Sequence, residues 1–189
     1  MTAFPRPSPP DKAIVETPRL ILRQWKESDR EPFAALNADP RVMAHFPALL
    51  MRGQSDALLN RLGRMIAETG SGLFAVERKS DRAFLGFTGI APVPFETVLA
   101  GETEIGWRFA RAHWGMGYAS EAAAAVLSFG FAARGLARIV SFTATDNLRS
   151  QGVMARIGMR RMRDLDFEHP NLPPGHRLRP HVVYVADAP

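Results

Sequence analysis

In the stretch Thr103–Ala122, TEIGWRFARAHWGMGYASEA, a strand-like run leads into Gly115, Met116 and Gly117, and a helix-like run begins at Tyr118. Glycines let a backbone turn tightly and present successive N–H groups to an anion. The first turn of a helix adds unpaired N–H groups and the positive end of its dipole. A pyrophosphate suits such a turn, and a plain strand-to-helix connection uses the same residue types with no ligand at all. Two carboxylates, Glu102 and Glu104, stand at the head of the stretch, two residues apart and so on one face of a regular strand. Asn147 opens a second helical run with Ser150 on its first turn; an asparagine there caps a helix in any fold. The chain has no cysteine, so it offers neither a thiolate nucleophile nor a disulfide framework. His45, His113, His169, His176 and His181 contain no pair at the short helical spacing of a zinc site, and no metal is expected.

The elements that must position these groups follow from period and punctuation. Arg19–Arg23 reads as a strand after Pro18, and Ser28-Asp29 as the cap of a helix running through Phe33, Leu36 and Asn37 to a stop at Pro40. Leu58, Leu59, Leu62, Met65 and Ile66 recur at helical spacing from about Ser55 to Glu68, with Gly70 at the end. The period then becomes two: Leu73–Glu77 and Phe84–Ala91 read as strands joined by a turn at 79–82, and Thr103–Phe109 as a third. A long apolar helix from Tyr118 to about Arg134 closes at Gly135, and Ile139–Phe142 is a short strand. Asn147–Ile157 is a helix with Gly158 past its end, 159–167 a strand, 168–180 a proline-broken loop and His181–Val185 a closing strand. Residues 1–13, with four prolines, read as an extended or disordered lead-in to a single domain over 14–189. The order of elements gives a mixed α/β domain.

Three segments together resemble the GNAT superfamily of N-acetyltransferases. Trp114-Gly115-Met116-Gly117-Tyr118-Ala119 is similar to its acyl-CoA signature, Gln/Arg-x-x-Gly-x-Gly/Ala, with Trp114 in the place of the polar first residue. Asn147-Leu148-Arg149-Ser150 followed by Gly158-Met159 is similar to its Asn-x-x-Ser helix and Gly-Phe ending, and His181–Tyr184 to its last strand. The tryptophan followed by Gly-x-Gly-Tyr-Ala-x-Glu-Ala resembles the RimJ/RimL-type branch, which acetylates protein N-termini and various small amines. The resemblance spans roughly residues 16–186. It implies a central mixed, mostly antiparallel sheet with one splayed parallel pair, 103–110 and 138–144, flanked by helices.

The resemblance also implies a chemistry. Acetyl-CoA would lie in the gap of the splayed pair, its pantetheine arm along the backbone near Phe109 and Arg111. Its pyrophosphate would sit over Gly115, Met116, Gly117, Tyr118, Ala119 and Ser120, with Asn147 touching it from the opposite side. Backbone N–H groups near Phe109 would hold the thioester oxygen as it becomes an oxyanion. The amine must attack neutral: at pH 7 roughly a tenth of an α-amine is ready, and well under a thousandth of a lysine-like amine. Glu104 is assigned as the base, acting through water, with Glu102 as the fallback. Where many relatives carry a proton-donating tyrosine the chain has Met154, so Ser150, four residues earlier on the same helix face, is assigned as donor or thiol-orienting group, a simple helix-start hydrogen bond being the alternative.

The net charge of +5, with only three lysines among 24 basic residues, suits an anionic ligand, and an arginine-favouring composition alone produces the same balance. The arginines form no stripe along one helix and no nucleic-acid-binding signature is present, so no nucleic-acid partner is expected. No apolar run reaches the roughly 20 residues of a membrane span and no signal-peptide core is seen, so a cytoplasmic address is expected. The partners are acetyl-CoA and an amine, either a protein N-terminus or a small amine such as an antibiotic or polyamine, with the assembly state left open, a homodimer included. The rival class is a domain that binds acyl-CoA without catalysis.

Overall fold

Residues 13–189 are described by the structure, a computed structural model. The expected lead-in therefore lies, apart from Ala13, outside the described residues. Ala13 itself begins a strand that the sequence did not announce: β1 (Ala13–Glu16) forms a hairpin with β2 (Leu20–Arg23), closed where Thr17 Oγ1 accepts the Leu20 N–H at 2.9 Å. The antiparallel run continues through β3 (Leu73–Arg78), β4 (Phe84–Pro92) and β5 (Thr103–Phe109). β5 then meets β6 (Arg138–Ala144) in parallel. Two short strands, β7 (Arg160–Arg161) and β8 (Phe167–Glu168), pair with the last strand, β9 (Pro180–Asp187), which lies antiparallel to β6.

The strand expected over 159–167 is thus two pieces, separated by a 3₁₀ turn at Arg163–Leu165. The cause is local. Asp166 turns its carboxylate onto the Val183 N–H at 3.2 Å, taking a donor that a continuous strand would have paired through its backbone. Ser28-Asp29 is corrected too. Asp29 precedes α1 (Arg30–Ala38) without capping it; its carboxylate instead takes both ends of the buried Arg23 guanidinium, at 2.7 and 2.9 Å. α2 (Arg52–Thr69) starts three residues earlier than expected, because Gln54 reaches back to the Met51 N–H.

The sheet is covered on both faces, and the alternation of strand residues decides which side chains meet which helix. Phe87 of β4 packs with Trp25 and with Phe33 of α1, at centroid distances of 6.1 and 5.8 Å. On the other face, α3 (Tyr118–Arg134) lays Ala122, Ala123 and Val126 against the sheet, and Phe129 meets Phe74 of β3 edge-on. α3 approaches so closely at Gly130 that a Cβ there would stand 2.5 Å from Ile139 Cδ1. α4 (Leu148–Arg156) follows β6 on the α3 side, burying Val153 and Met154. Opposed residues share a face, so the pairs Phe87↔Arg108 and Glu104↔Val140 put Glu104, Gly106 and Arg108 on the α1–α2 side. Ile105 and Phe109 face α3. The expected class, a mixed and mostly antiparallel sheet with one parallel pair flanked by helices, is the observed one.

Candidate active site

β5 and β6 touch at a single register pair, Glu104↔Val140, reinforced by the buried Ser141 hydroxyl donating to the Ile105 carbonyl at 2.9 Å. Beyond it each strand keeps its outer partner, β4 for one and β9 for the other, and the two diverge. The divergence opens a cleft of about 1590 Å³ through the sheet. Ala110 N–H bonds the Leu85 carbonyl on the β4 side. Alternation along an antiparallel ladder therefore turns the Phe109 N–H toward the cleft, where the sequence expected a donor for an oxyanion. Arg111 also lines the cleft.

At one end of the cleft lies the glycine turn. Gly115 and Gly117 have φ of +77° and +79°, a region that only glycine enters without strain. Glu121 N–H closes the first turn of α3 on the Gly117 carbonyl, so the N–H groups of Tyr118, Ala119 and Ser120 have no helical acceptor. Cations surround them. Arg19 donates to the Met116 carbonyl at 3.0 Å, lies over the Tyr118 ring at 4.5 Å and pairs with Glu121 at 2.6 Å, while Arg156 Nε donates to Ser120 Oγ at 3.2 Å. Glu121 also takes the Thr17 hydroxyl at 2.6 Å, so the helix start is tied to the β1–β2 hairpin. The Met116 side chain is exposed and stands outside the cleft lining; that residue can contribute only backbone.

At the junction of the strands stands Glu104. It is half-buried on the cleft wall, leans over Gly106, and among the described residues no hydrogen bond or ion pair engages its carboxylate. Burial pushes it up to about 8. Glu102, expected on the same face, precedes the strand: its carbonyl accepts the Val93 N–H and its side chain does not line the cleft. Opposite Glu104, the Asn147 amide donates to Thr143 Oγ1 at 2.8 Å and to Ser150 Oγ at 3.1 Å, and its oxygen accepts the Ser150 N–H at 3.3 Å. Ser150 Oγ thus accepts from Asn147, and Ser150 lines the cleft. Met154 is buried beneath it.

The cleft thus lies between splayed parallel strands, with the unpaired N–H groups of the α3 start at one end and a partnerless carboxylate at the junction. Residues 19–160 match the family described as Acetyltransferase (GNAT) domain. The chain is 36% identical over 151 residues to the Bacillus subtilis (strain 168) protein YkkB, covering 78% of this chain and 86% of that one. It is 33% identical over 166 residues to the Aspergillus fumigatus FsC-acetyl coenzyme A-N(2)-transacetylase, covering 85% of this chain and 71% of the relative. A solved GNAT-family acetyltransferase from Bacillus anthracis superposes with a TM-score of 0.76 at 26% identity, covering 92% of this chain and 97% of that one. The chain belongs to the GNAT acetyltransferase family.

Within this GNAT domain the structure adds parts that sequence reasoning missed. Trp114, read as the loss of a polar side chain, donates its indole N–H to the Phe109 carbonyl at 2.8 Å and carries the Arg149 guanidinium on its ring at 4.5 Å. It fixes the end of β5 against the glycine turn. The signal was in the residue type, since a tryptophan keeps one donor. The far end of the cleft is walled by two loops, residues 41–47 and 168–180, through His45, Phe46, His169, Leu172 and Leu178. A clasp joins them: Asp146 bridges His45 Nδ1 at 3.1 Å and Arg177 Nη1 at 2.5 Å, and Arg177 Nη2 reaches the Ala44 carbonyl at 2.8 Å. His169 and His181 sit 5.0 Å apart among Phe95, Phe142 and Phe167, and burial lowers both below the ordinary histidine value. Among the described residues no group of three or more His, Asp or Glu is placed to hold a metal ion, and no helix is long and apolar enough to cross a membrane.

Proposed function

We propose that the chain transfers an acetyl group from acetyl-CoA to a primary amine by direct attack, within the RimJ/RimL-type branch that the Trp114–Ala122 motif resembles. The observation that carries this reading is the single β5–β6 bridge at Glu104, which puts a partnerless carboxylate where the splayed cleft begins. Bound acetyl-CoA supplies the activated thioester. The chain's own residues do the rest. The N–H groups of Tyr118, Ala119 and Ser120, with Arg156 beside them, hold the pyrophosphate over Gly115–Gly117. The Phe109 N–H faces the developing oxyanion. Glu104 takes a proton from the amine, directly or through one water. Ser150, held by Asn147, offers its hydroxyl proton toward the departing sulfur, whose ordinary pKa of about 8.5 needs no strong acid.

The clasp across the far end supports a small amine as acceptor over an extended polypeptide terminus, because it closes the two loops over the space a chain would need. Thiol release from acetyl-CoA, measured over a panel of small amines and peptides with free N-termini, tests the reading. Amine-dependent thiol release is expected. The absence of both acetyl-CoA binding and thiol release, across every amine of the panel, would overturn it.

A further inference from the structure

The acceptor side of the cleft is cationic in an unbalanced way. Of the residues lining the cleft, two are carboxylates, Glu104 and Asp146, and Asp146 is already held by Arg177 and His45. Against them, the α1–α2 wall carries Arg41, Arg61 and Arg108. Arg41 and Arg61 are exposed, and no ion pair engages either side chain among the described residues. Arg108 is the more telling. Its guanidinium packs against Phe46 at 3.9 Å and Phe87 at 5.2 Å, and its single hydrogen bond among the described residues goes from Nη1 to the neutral Asn37 Oδ1. Its Nε–H is buried without a partner, and no carboxylate pairs with it. Burial lowers its pKa to about 10, as expected of a charge taken from water without a counter-ion. An unpaired buried donor costs free energy until something accepts from it.

Arg108 and Glu104 share one face of β5, four residues or about 13 Å apart along the strand. The Glu104 carboxylate leans over Gly106, toward Arg108: a Cβ on Gly106 would lie 3.7 Å from Oε1. We infer that Arg108, with Arg41 and Arg61 on the same wall, is an anion subsite, and that the acceptor is a primary amine bearing a carboxylate or similar anionic group several bonds from the nitrogen. The nitrogen sits at Glu104 and the anion accepts from the Nη end of the Arg108 guanidinium. Polycations are rejected by the same three charges. This inference rests on the acetyltransferase reading and names its substrate class.

The test compares amines that differ only in charge: ω-amino carboxylates of three to six carbons against their carboxamides, with spermidine as the polycation. Acetyl-CoA thiol release gives kcat/KM for each. The wild-type enzyme is expected to prefer at least one carboxylate over its carboxamide by about tenfold or more, the charge-assisted bond being the difference. It should leave spermidine poorest. In Arg108→Gln the preference should fall to near parity while acetyl-CoA still raises the melting temperature, and in Arg61→Gln, an exposed change on α2, it should fall by a factor of about two to five. Parity between carboxylate and carboxamide in the wild type, or a preference for spermidine, overturns the subsite and leaves Arg108 as a pin for the 41–50 loop. The same holds if acetyl-CoA binds and none of the amines reacts. Failure of acetyl-CoA to bind at all overturns the acetyltransferase reading instead.

Discussion

Glu104 is raised by burial from 4.5 to about 8, and two consequences follow with opposite experimental handles. A carboxylate that ionises only near pH 8 is a stronger base once ionised, and it is mostly protonated at pH 7. With an alkyl amine acceptor, whose pKa is about 10.4, wild-type kcat/KM should climb as pH rises through about 8. Glu104→Gln should lose that limb and fall by about 10²–10⁴-fold near pH 8, with the gap closing above about pH 10, where the amine arrives neutral. Rates equal to wild type near pH 8 would leave Glu104 without a catalytic role. The second consequence concerns stability. The folded protein holds the Glu104 proton more tightly than the unfolded chain, so the stability linked to this group is complete below pH 4.5 and is lost as pH rises through about 8. Water in the cleft screens the effect. Melting curves between pH 4.5 and 9 should show a shallower decline in Glu104→Gln than in wild type. At Ser150 the expectation is smaller: Ser150→Ala should lower kcat by about tenfold or less, because the thiol is a good leaving group without help.

The glycine turn and the start of α3 form one unit, and Gly117 is its pivot. A valine there must adopt a φ of +79° and places its branch where Arg19 Nη2 already lies 3.4 Å from a would-be Cβ. Such a residue costs on the order of 1–3 kcal/mol, so Gly117→Val should lower the melting temperature by several degrees, at about 2–4 °C per kcal/mol, and abolish stabilisation by acetyl-CoA. Circular dichroism with thermal melts, with and without acetyl-CoA, checks both effects. A folded variant that keeps the acetyl-CoA shift would mean that the turn does not hold the phosphates. This unit was legible in the sequence, as was the Asn147 cap of α4, because both act through neighbours within a few residues. β1 was not legible, because four residues are too few to show a period of their own. The 159–167 strand was misread because Asp166 competes for Val183, seventeen residues away. Asp29 looked like a cap because the sequence does not show Arg23 folding back onto it. Arg108 looked like any strand arginine. Its meaning depends on Asn37 and Phe46, which reach it from about seventy and about sixty residues upstream.

Over the whole molecule, the net charge of +5 is distributed between two jobs. Arginines away from the cleft are largely compensated: Arg30, Arg52, Arg78, Arg138 and Arg161 each meet a carboxylate within 3.0 Å. Arg111, Arg149 and Arg156 line the cleft near the glycine turn with no ion pair among the described residues, which concentrates positive potential where a nucleotide would dock. The charge therefore points into a cleft, whereas a duplex needs an extended basic face. Duplex DNA should bind weakly and release by physiological salt. Acetyl-CoA should behave differently. At about 100 times its dissociation constant it should stabilise the fold by roughly 2.7 kcal/mol, a melting shift of about 5–10 °C for a domain of this size. Its affinity should weaken moderately as salt shortens the screening length from about 10 Å at 0.1 M to about 3 Å at 1 M, since the cations at the phosphate end are partly exposed and the backbone N–H groups are not screened away. Calorimetry with acetyl-CoA and with duplex DNA across that salt range separates the two. A steep salt dependence for acetyl-CoA would shift the phosphate contacts from backbone to arginine, and tight DNA binding at physiological salt would mean that the cleft is not where the charge is used.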